Sequence, residues 1–177
     1  MTHFKKIKSP VSESGFTLLE LLVVVVILAI AALVAVPSFS GAADMQVRAA
    51  ANRIAADLDY AKGLAVTYQK NYSVVFDTAN EAYQIEDENG TIIDHPVRPG
   101  SEYVVSFKTD SHFSRVNIAT AAFNSSMYHS VIFDYLGSPF DTTGAELNTG
   151  RVTLQADTFT IYVDVEPMTG YVTITSP

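Results

Sequence analysis

The stretch Gly15-Phe16-Thr17-Leu18-Leu19-Glu20, with the apolar run that follows it to Val36, decides how this chain is read. From Phe16 to Val36 there are 21 residues, and only Thr17 and Glu20 are polar. A helix of about 20 apolar residues is long enough to cross the hydrocarbon core of a bilayer. Lys5, Lys6 and Lys8 precede it; basic residues there hold an N-terminus in the cytoplasm and send the rest of the chain across. Glu20 is the anomaly. It sits one helical turn into the run, with no basic residue between it and Pro37. An unpaired carboxylate placed centrally in a membrane costs up to about 3 kcal/mol, so Glu20 requires a partner. A cut between Gly15 and Phe16 supplies one. The new α-amino group lies one turn before Glu20 and can pair with it, in the same chain or in a neighbouring helix of a stack.

Two simpler readings compete. An ordinary secretory signal has an apolar region of about 7–15 residues ending at a small-residue cleavage site. Residues Ser40 to Ala43 could serve as that site, but the run before them is too long. A plain membrane anchor fits the length and leaves Glu20 unexplained. The hexapeptide, the short basic leader, the apolar helix and Pro37 together resemble the class III signal of type IV pilins and pseudopilins. That resemblance implies a prepilin peptidase that cuts after Gly15 on the cytoplasmic side and N-methylates Phe16. It also implies that Glu20 helps to dock the subunit into a helical filament. The boundaries that follow are a cleaved leader over 1–15, a transmembrane or filament-core helix over 16–37, and a periplasmic head over 38–177.

Composition narrows the classes further. A chain of 177 residues accommodates one domain plus an anchor. It contains no cysteine, which rules out disulfides and thiolate metal sites and sets it apart from major pilins that close a C-terminal disulfide loop. Net charge is −8. Three of the eleven basic residues and one of the nineteen acidic ones, Glu13, lie in the leader, so the processed chain carries 8 basic and 18 acidic side chains. An acidic surface repels phosphate backbones, which makes nucleic acid an unfavoured partner.

Beyond Pro37, which should bend the helix by removing one hydrogen bond, the helical pattern resumes. Val47, Ala51, Ile54, Leu58, Ala61, Ala65 and Tyr68 alternate spacings of four and three, the mark of one apolar face. Asp44 with Arg48 and Arg53 with Asp57 are placed on the opposite face at ion-pairing distance. A helix from Phe16 to Tyr68 would be on the order of 80 Å long: half in a membrane or filament core, half packed on a head. Strands are expected at Tyr72–Asp77, Ala82–Ile85, Thr91–Ile93, Tyr103–Phe107, Val116–Ile118, Val131–Tyr135, Arg151–Leu154, Phe159–Val165 and Gly170–Thr175, with 119–130 and 141–150 as loops. Phe159, Ile161, Val163 and Val165 alternate with polar residues, so one face is buried and one is wet. The fold class is α+β: a long N-terminal helix packed on an antiparallel, sheet-rich, pilin-like head.

The segments Val131 to Pro139, Phe159 to Val163 and Pro167-Met168-Thr169-Gly170-Tyr171-Val172 are similar to the GspH/FimT group of minor pseudopilins and minor pilins. Relatives implicated in DNA binding carry arginines near the C-terminus; here Tyr171 follows Gly170 and no basic residue follows Arg151. Catalytic and metal chemistry find no footing. His3, His95, His112 and His129 lack ligand spacing, and Asp87-Glu88-Asn89-Gly90 fits a hairpin turn better than a calcium loop. No cofactor and no enzymatic activity are expected. The resemblance implies a minor pseudopilin of a type II secretion system, single-pass in the inner membrane. Its partners would be the prepilin peptidase, other minor and major pseudopilins and the inner-membrane assembly platform. The alternative is a minor type IV pilin for adhesion, motility or DNA uptake.

Overall fold

Ser40–Tyr68 is a 29-residue helix, α2, whose apolar stripe organises the head. The computed structural model describes residues 15–35, 40–125 and 127–177; the leader before Gly15, Pro37 and its expected bend lie outside them. The chain divides into two units, Met1–Ser38 and Phe39–Pro177. The first contains helix α1, Leu18–Ala35. Thr17 caps it: the Thr17 Oγ1 accepts from the Glu20 amide at 3.2 Å, which satisfies one of the free N–H groups of the first turn. Every large apolar side chain from Leu18 to Leu28, and Ile30, is exposed. Among the described residues no helix is long and apolar enough to cross a membrane. The 18 residues of α1 rise about 27 Å, a little short of a hydrocarbon core of about 30 Å.

In the second unit, Val47, Ala51, Ile54, Leu58, Ala61 and Ala65 are all fully buried, joined by Ala43 and Ala50. The alanines let strands approach the helix closely, while Ile54 and Leu58 contribute about 1.5–3 kcal/mol each by burial. Tyr68, expected to end the stripe, is exposed, because α2 closes there. Gln69 turns into the left-handed region at φ 55°, and the Lys70 amide bonds back to the Ala65 carbonyl at 3.2 Å, a Schellman-type stop.

Among the described residues nine antiparallel strands follow: β1 Tyr72–Asp77, β2 Ala82–Glu86, β3 Val104–Ser106, β4 Asn117–Phe123, β5 Ser130–Phe133, β6 Pro139–Phe140, β7 Gly150–Ala156, β8 Phe159–Val165 and β9 Val172–Thr175. They form two sheets, β3-β2-β1-β5-β6 and β4-β7-β8-β9. Helix α2 packs on β1 and β5 of the first and on β7, β8 and β9 of the second. The core lies between helix and sheets, with Phe76, Phe123, Phe133 and Leu154 among its larger members. In β8, Ile161, Val163 and Val165 are buried and Thr160, Tyr162 and Asp164 only partly so, the alternation of a half-buried strand.

Besides Tyr68, three further expectations change. Residues 119–130 are not all loop, since β4 runs to Phe123. A register shift between Ile118 and Thr120 breaks the two-residue period, so Ala121 and Phe123 reach the core out of phase with Ile118. Thr91–Ile93 is no strand but makes a single bridge through Ile92 to Glu86. Asp57 is not on the wet face but buried.

Two glycines set how closely the strand ends meet α2. A Cβ on Gly170 would sit 2.7 Å from the Gly137 carbonyl oxygen and 3.0 Å from the Phe133 ring, at φ +58°. Lys62, on α2, donates to the Gly170 carbonyl at 2.9 Å. By contrast, Gly63 is mid-helix with nothing within 4 Å of a Cβ. Gly170→Ala is expected to cost about 1–3 kcal/mol, and Gly63→Ala to add about 0.5–1 kcal/mol. Thermal unfolding followed by circular dichroism checks both: Tm should fall for the first and rise for the second.

Candidate functional site

The processing and assembly residues anticipated from the sequence lie in the first unit. Gly15 and Phe16 precede α1 in non-helical backbone. Phe16 is exposed, and a Cβ on Gly15 would meet nothing within 4 Å, so the peptide bond between them is open to approach. Glu20 falls in the first turn of α1. There a carboxylate is favoured by the partial positive charge of the helix N-terminus, typically by about 0.3–1 kcal/mol. Thr17 and Glu20 have the spacing of a capping box, of which the half made by Thr17 accepting from the Glu20 amide is formed; the sequence reading overlooked this role of Thr17. The Glu20 side chain is exposed and has no ion pair among the described residues. What surrounds it is a helix with no polar face: α1 is apolar on all sides, and apolar side chains stay exposed all round it.

The head holds a cluster that the sequence reading missed. Asp57, 5 % exposed, accepts from the Tyr83 hydroxyl at 2.6 Å, the Tyr103 hydroxyl at 2.8 Å and Arg53 Nε at 2.9 Å. Its position was legible. It stands three residues after Ile54 and four before Ala61, hence on the apolar stripe. Tyr103 is stacked between two rings, Tyr60 at 5.7 Å and His95 at 4.7 Å between centroids. Burial, then the neighbouring carboxylate, pushes the Tyr83 hydroxyl well above its usual pKa. Burial and the Asp57 bond push Tyr103 up to about 12. Burial, then Arg98 and Arg53, pushes His95 down. Partial burial is the largest single influence on Arg53 and opposes its charge, but the bond to Asp57, the Asp57 charge and the two tyrosines together outweigh it and hold the guanidinium above its usual value.

Near neutral pH Tyr83 and Tyr103 therefore keep their protons. Both are donors to Asp57, and each Asp57 oxygen accepts at least one hydrogen bond. This is a clamp that fixes α2 to β2 and to the start of β3, not a site for acid–base catalysis.

The remaining candidates are engaged locally. His112 meets Asp110 at 2.9 Å, and His129 Nδ1 lies 2.7 Å from the Ala121 carbonyl. Asp87 Oδ1 accepts from the Asn89 and Thr91 amides, both at 2.9 Å, which makes residues 87–91 a side-chain-closed turn. No group of three metal-ligating side chains occurs among the described residues. Arg151 grips Asp164 with two bonds of 2.6 and 3.1 Å and lies over the Tyr162 ring at 4.4 Å, so its guanidinium is already committed.

Comparison with known proteins bears on both units. Residues 11–36 match the prokaryotic N-terminal methylation motif. A comparison with curated protein sequences gave no match. Among solved structures, the chain is similar to the minor pseudopilin EpsH from the Type 2 Secretion System of Vibrio cholerae. The TM-score is 0.52 at 8 % identity, over 75 % of this chain and 98 % of that one. The type IV minor pilin FimU of Pseudomonas aeruginosa aligns with a TM-score of 0.45 at 13 % identity, over 74 % and 87 % of the two chains. The chain thus has a pilin-like fold, α2 packed on antiparallel sheets, and carries the methylation motif ahead of it.

Removing the Tyr83 hydroxyl should leave Asp57 one bond short in a buried setting. Tyr83→Phe is expected to cost about 1.5–3 kcal/mol. Tyr103→Phe should cost less, because Tyr103 is nearer the surface. Chemical denaturation of the two variants tests this order; equal stability to wild type would show that the clamp carries no load.

Proposed function

We propose that this protein is a minor pseudopilin of a type II secretion system, a structural subunit of a periplasmic filament that supports export of folded proteins. In this reading it is made as an inner-membrane precursor with its head in the periplasm. Prepilin peptidase cuts between Gly15 and Phe16 and methylates the new Phe16 amine. The subunit then leaves the bilayer on the assembly platform and packs beside other pseudopilins. Its mechanism is assembly. Apolar helices stack laterally, and each Glu20 pairs with an N-terminal amine in the apolar interior, which offsets the cost of placing either charge there.

One observation carries the reading: the residues matched by the methylation motif, 11–36, contain an all-round apolar helix, Leu18–Ala35. A helix without a polar face needs apolar surroundings on every side, and a bilayer followed by a bundle of like helices provides them. The likeness of fold to EpsH adds support for a pseudopilin. The uncommitted carboxylate of Glu20 fits a partner supplied by a neighbour.

Glu20→Leu tests the mechanism. The variant should still be cut and methylated, because Gly15 and Phe16 are intact. It should then enter isolated filaments at least about tenfold less than wild type, since an unpaired buried charge costs about 3–5 kcal/mol and each 1.4 kcal/mol is tenfold. Export of a folded substrate should fall with it. Recovery of Glu20→Leu in filaments at the wild-type level would contradict the proposed pairing.

A further inference from the structure

Two turns of the head meet at the C-terminal end of α2 and leave a cluster of apolar side chains in water. The first, between β5 and β6, carries Tyr135, Leu136 and Gly137; the second, between β8 and β9, carries Met168, Gly170 and Tyr171. The Gly170 and Gly137 backbones are in close approach, and Gly137 also abuts Lys62 and Val66 of α2. The two turns and the helix end are therefore one surface. On it, Leu136 is 70 % and Met168 79 % exposed, with Tyr135, Val66 and Tyr171 also open. Single exposed apolar residues are ordinary on a protein surface; five gathered on one surface mark an interaction site.

The backbone adds a second sign. Met168 holds φ at +62°, a conformation that a long side chain adopts at a cost. That cost is not recovered by burying the side chain, which projects beside a cleft formed by Ser138, Pro139, Phe140 and Glu146.

Charge identifies the occupant. Glu146 and Glu166 border the cluster, are exposed, and have no ion pair among the described residues. Of the cations nearby, Lys62 is spent on the Gly170 carbonyl at 2.9 Å and on Asp59 at 3.1 Å, and Arg151, which shares a cleft with Glu166, is spent on Asp164. An apolar centre with an acidic border fits an apolar surface bordered by lysine or arginine. A second copy of this head pairing through the same surface would set Glu146 and Glu166 against their own like, and an anionic membrane would be repelled.

The geometry points to a heterologous docking surface, Val66, Leu136, Met168 and Tyr171 bordered by Glu146 and Glu166, that receives the basic-bordered apolar face of a different pilin-like subunit. The identity of that partner as a filament subunit rests on the function proposed above; the surface and its charge preference do not.

The test uses the full chain in its own host, with photoreactive benzoylphenylalanine placed in turn at Leu136, at Met168 and, as a control, at Val97 in the loop between β2 and β3. Leu136 and Met168 should give the same adduct, and Val97 should not. The crosslinked peptide should map to a second polypeptide that carries an N-terminal methylation motif, at an apolar segment flanked by Lys or Arg. The double variant Glu146→Lys, Glu166→Lys should lower the adduct at least about fivefold at unchanged Tm, as like charges meet across the contact. Adducts to the chain itself, to lipid or to a protein without that motif, no adduct, or an adduct indifferent to charge reversal would each overturn the inference. The N-terminal residue of the recovered chain, read from the same material, reports separately on the filament reading.

Discussion

The head depends on burying one stripe of α2. Eight side chains from Ala43 to Ala65 are fully removed from water, and strands of two separate sheets close over them. Neither sheet needs to be large, because each uses the helix as the other half of its core. The small residues on the stripe set the spacing, while Ile54 and Leu58 supply bulk at its centre. Where the stripe is interrupted by a charge, at Asp57, the fold answers with three donors rather than with solvent. A buried carboxylate left unpaired would cost far more than the bonds contribute net. The cluster therefore selects one docking of β2 and β3 on the helix rather than adding greatly to stability.

Helix α1 poses the opposite problem. It has no stripe, only surface, and each of its large apolar side chains would contribute about 1.5–3 kcal/mol if buried. That free energy is realised only where other apolar groups surround the helix, as they would in the proposed stack of like helices. The head, by contrast, is finished: its core is closed and its buried polar side-chain atoms, among the described residues, all have partners. Two units with such different requirements suit a subunit whose one half is exchanged between environments while the other stays folded.

Much of this was written in local pattern. The bounds of β1 and β8 follow from period-two alternation, and the course of α2 from spacings of three and four. Its stop at Tyr68 was marked by the change of period before Tyr72. What escaped were features that depend on contacts distant in sequence. The bulge in β4 hid a strand among small residues at 119–123, since a single inserted residue reverses the face on which the next side chains fall. Asp57 was read as a surface ion pair from its spacing to Arg53, although its spacing to Ile54 and Ala61 placed it inside. Its tyrosine partners lie 26 and 46 residues away, and no local pattern names them. The exposed cluster at Leu136 and Met168 exists only because Gly137 and Gly170 bring two distant turns together. In the first unit the motif itself was fully legible, while the capping role of Thr17 was overlooked.

The filament function proposed for this chain follows from one covalent event at Gly15, and intact-mass measurement reads it directly. The full chain is expressed with and without a prepilin peptidase, alongside Gly15→Ala. Loss of residues 1–15 and gain of one methyl group on Phe16, dependent on the peptidase and abolished by the substitution, is the predicted result. A chain left whole in the presence of the peptidase, or cut near Ala43 instead, would contradict the filament mechanism and leave a pilin-like head that is merely tethered or released.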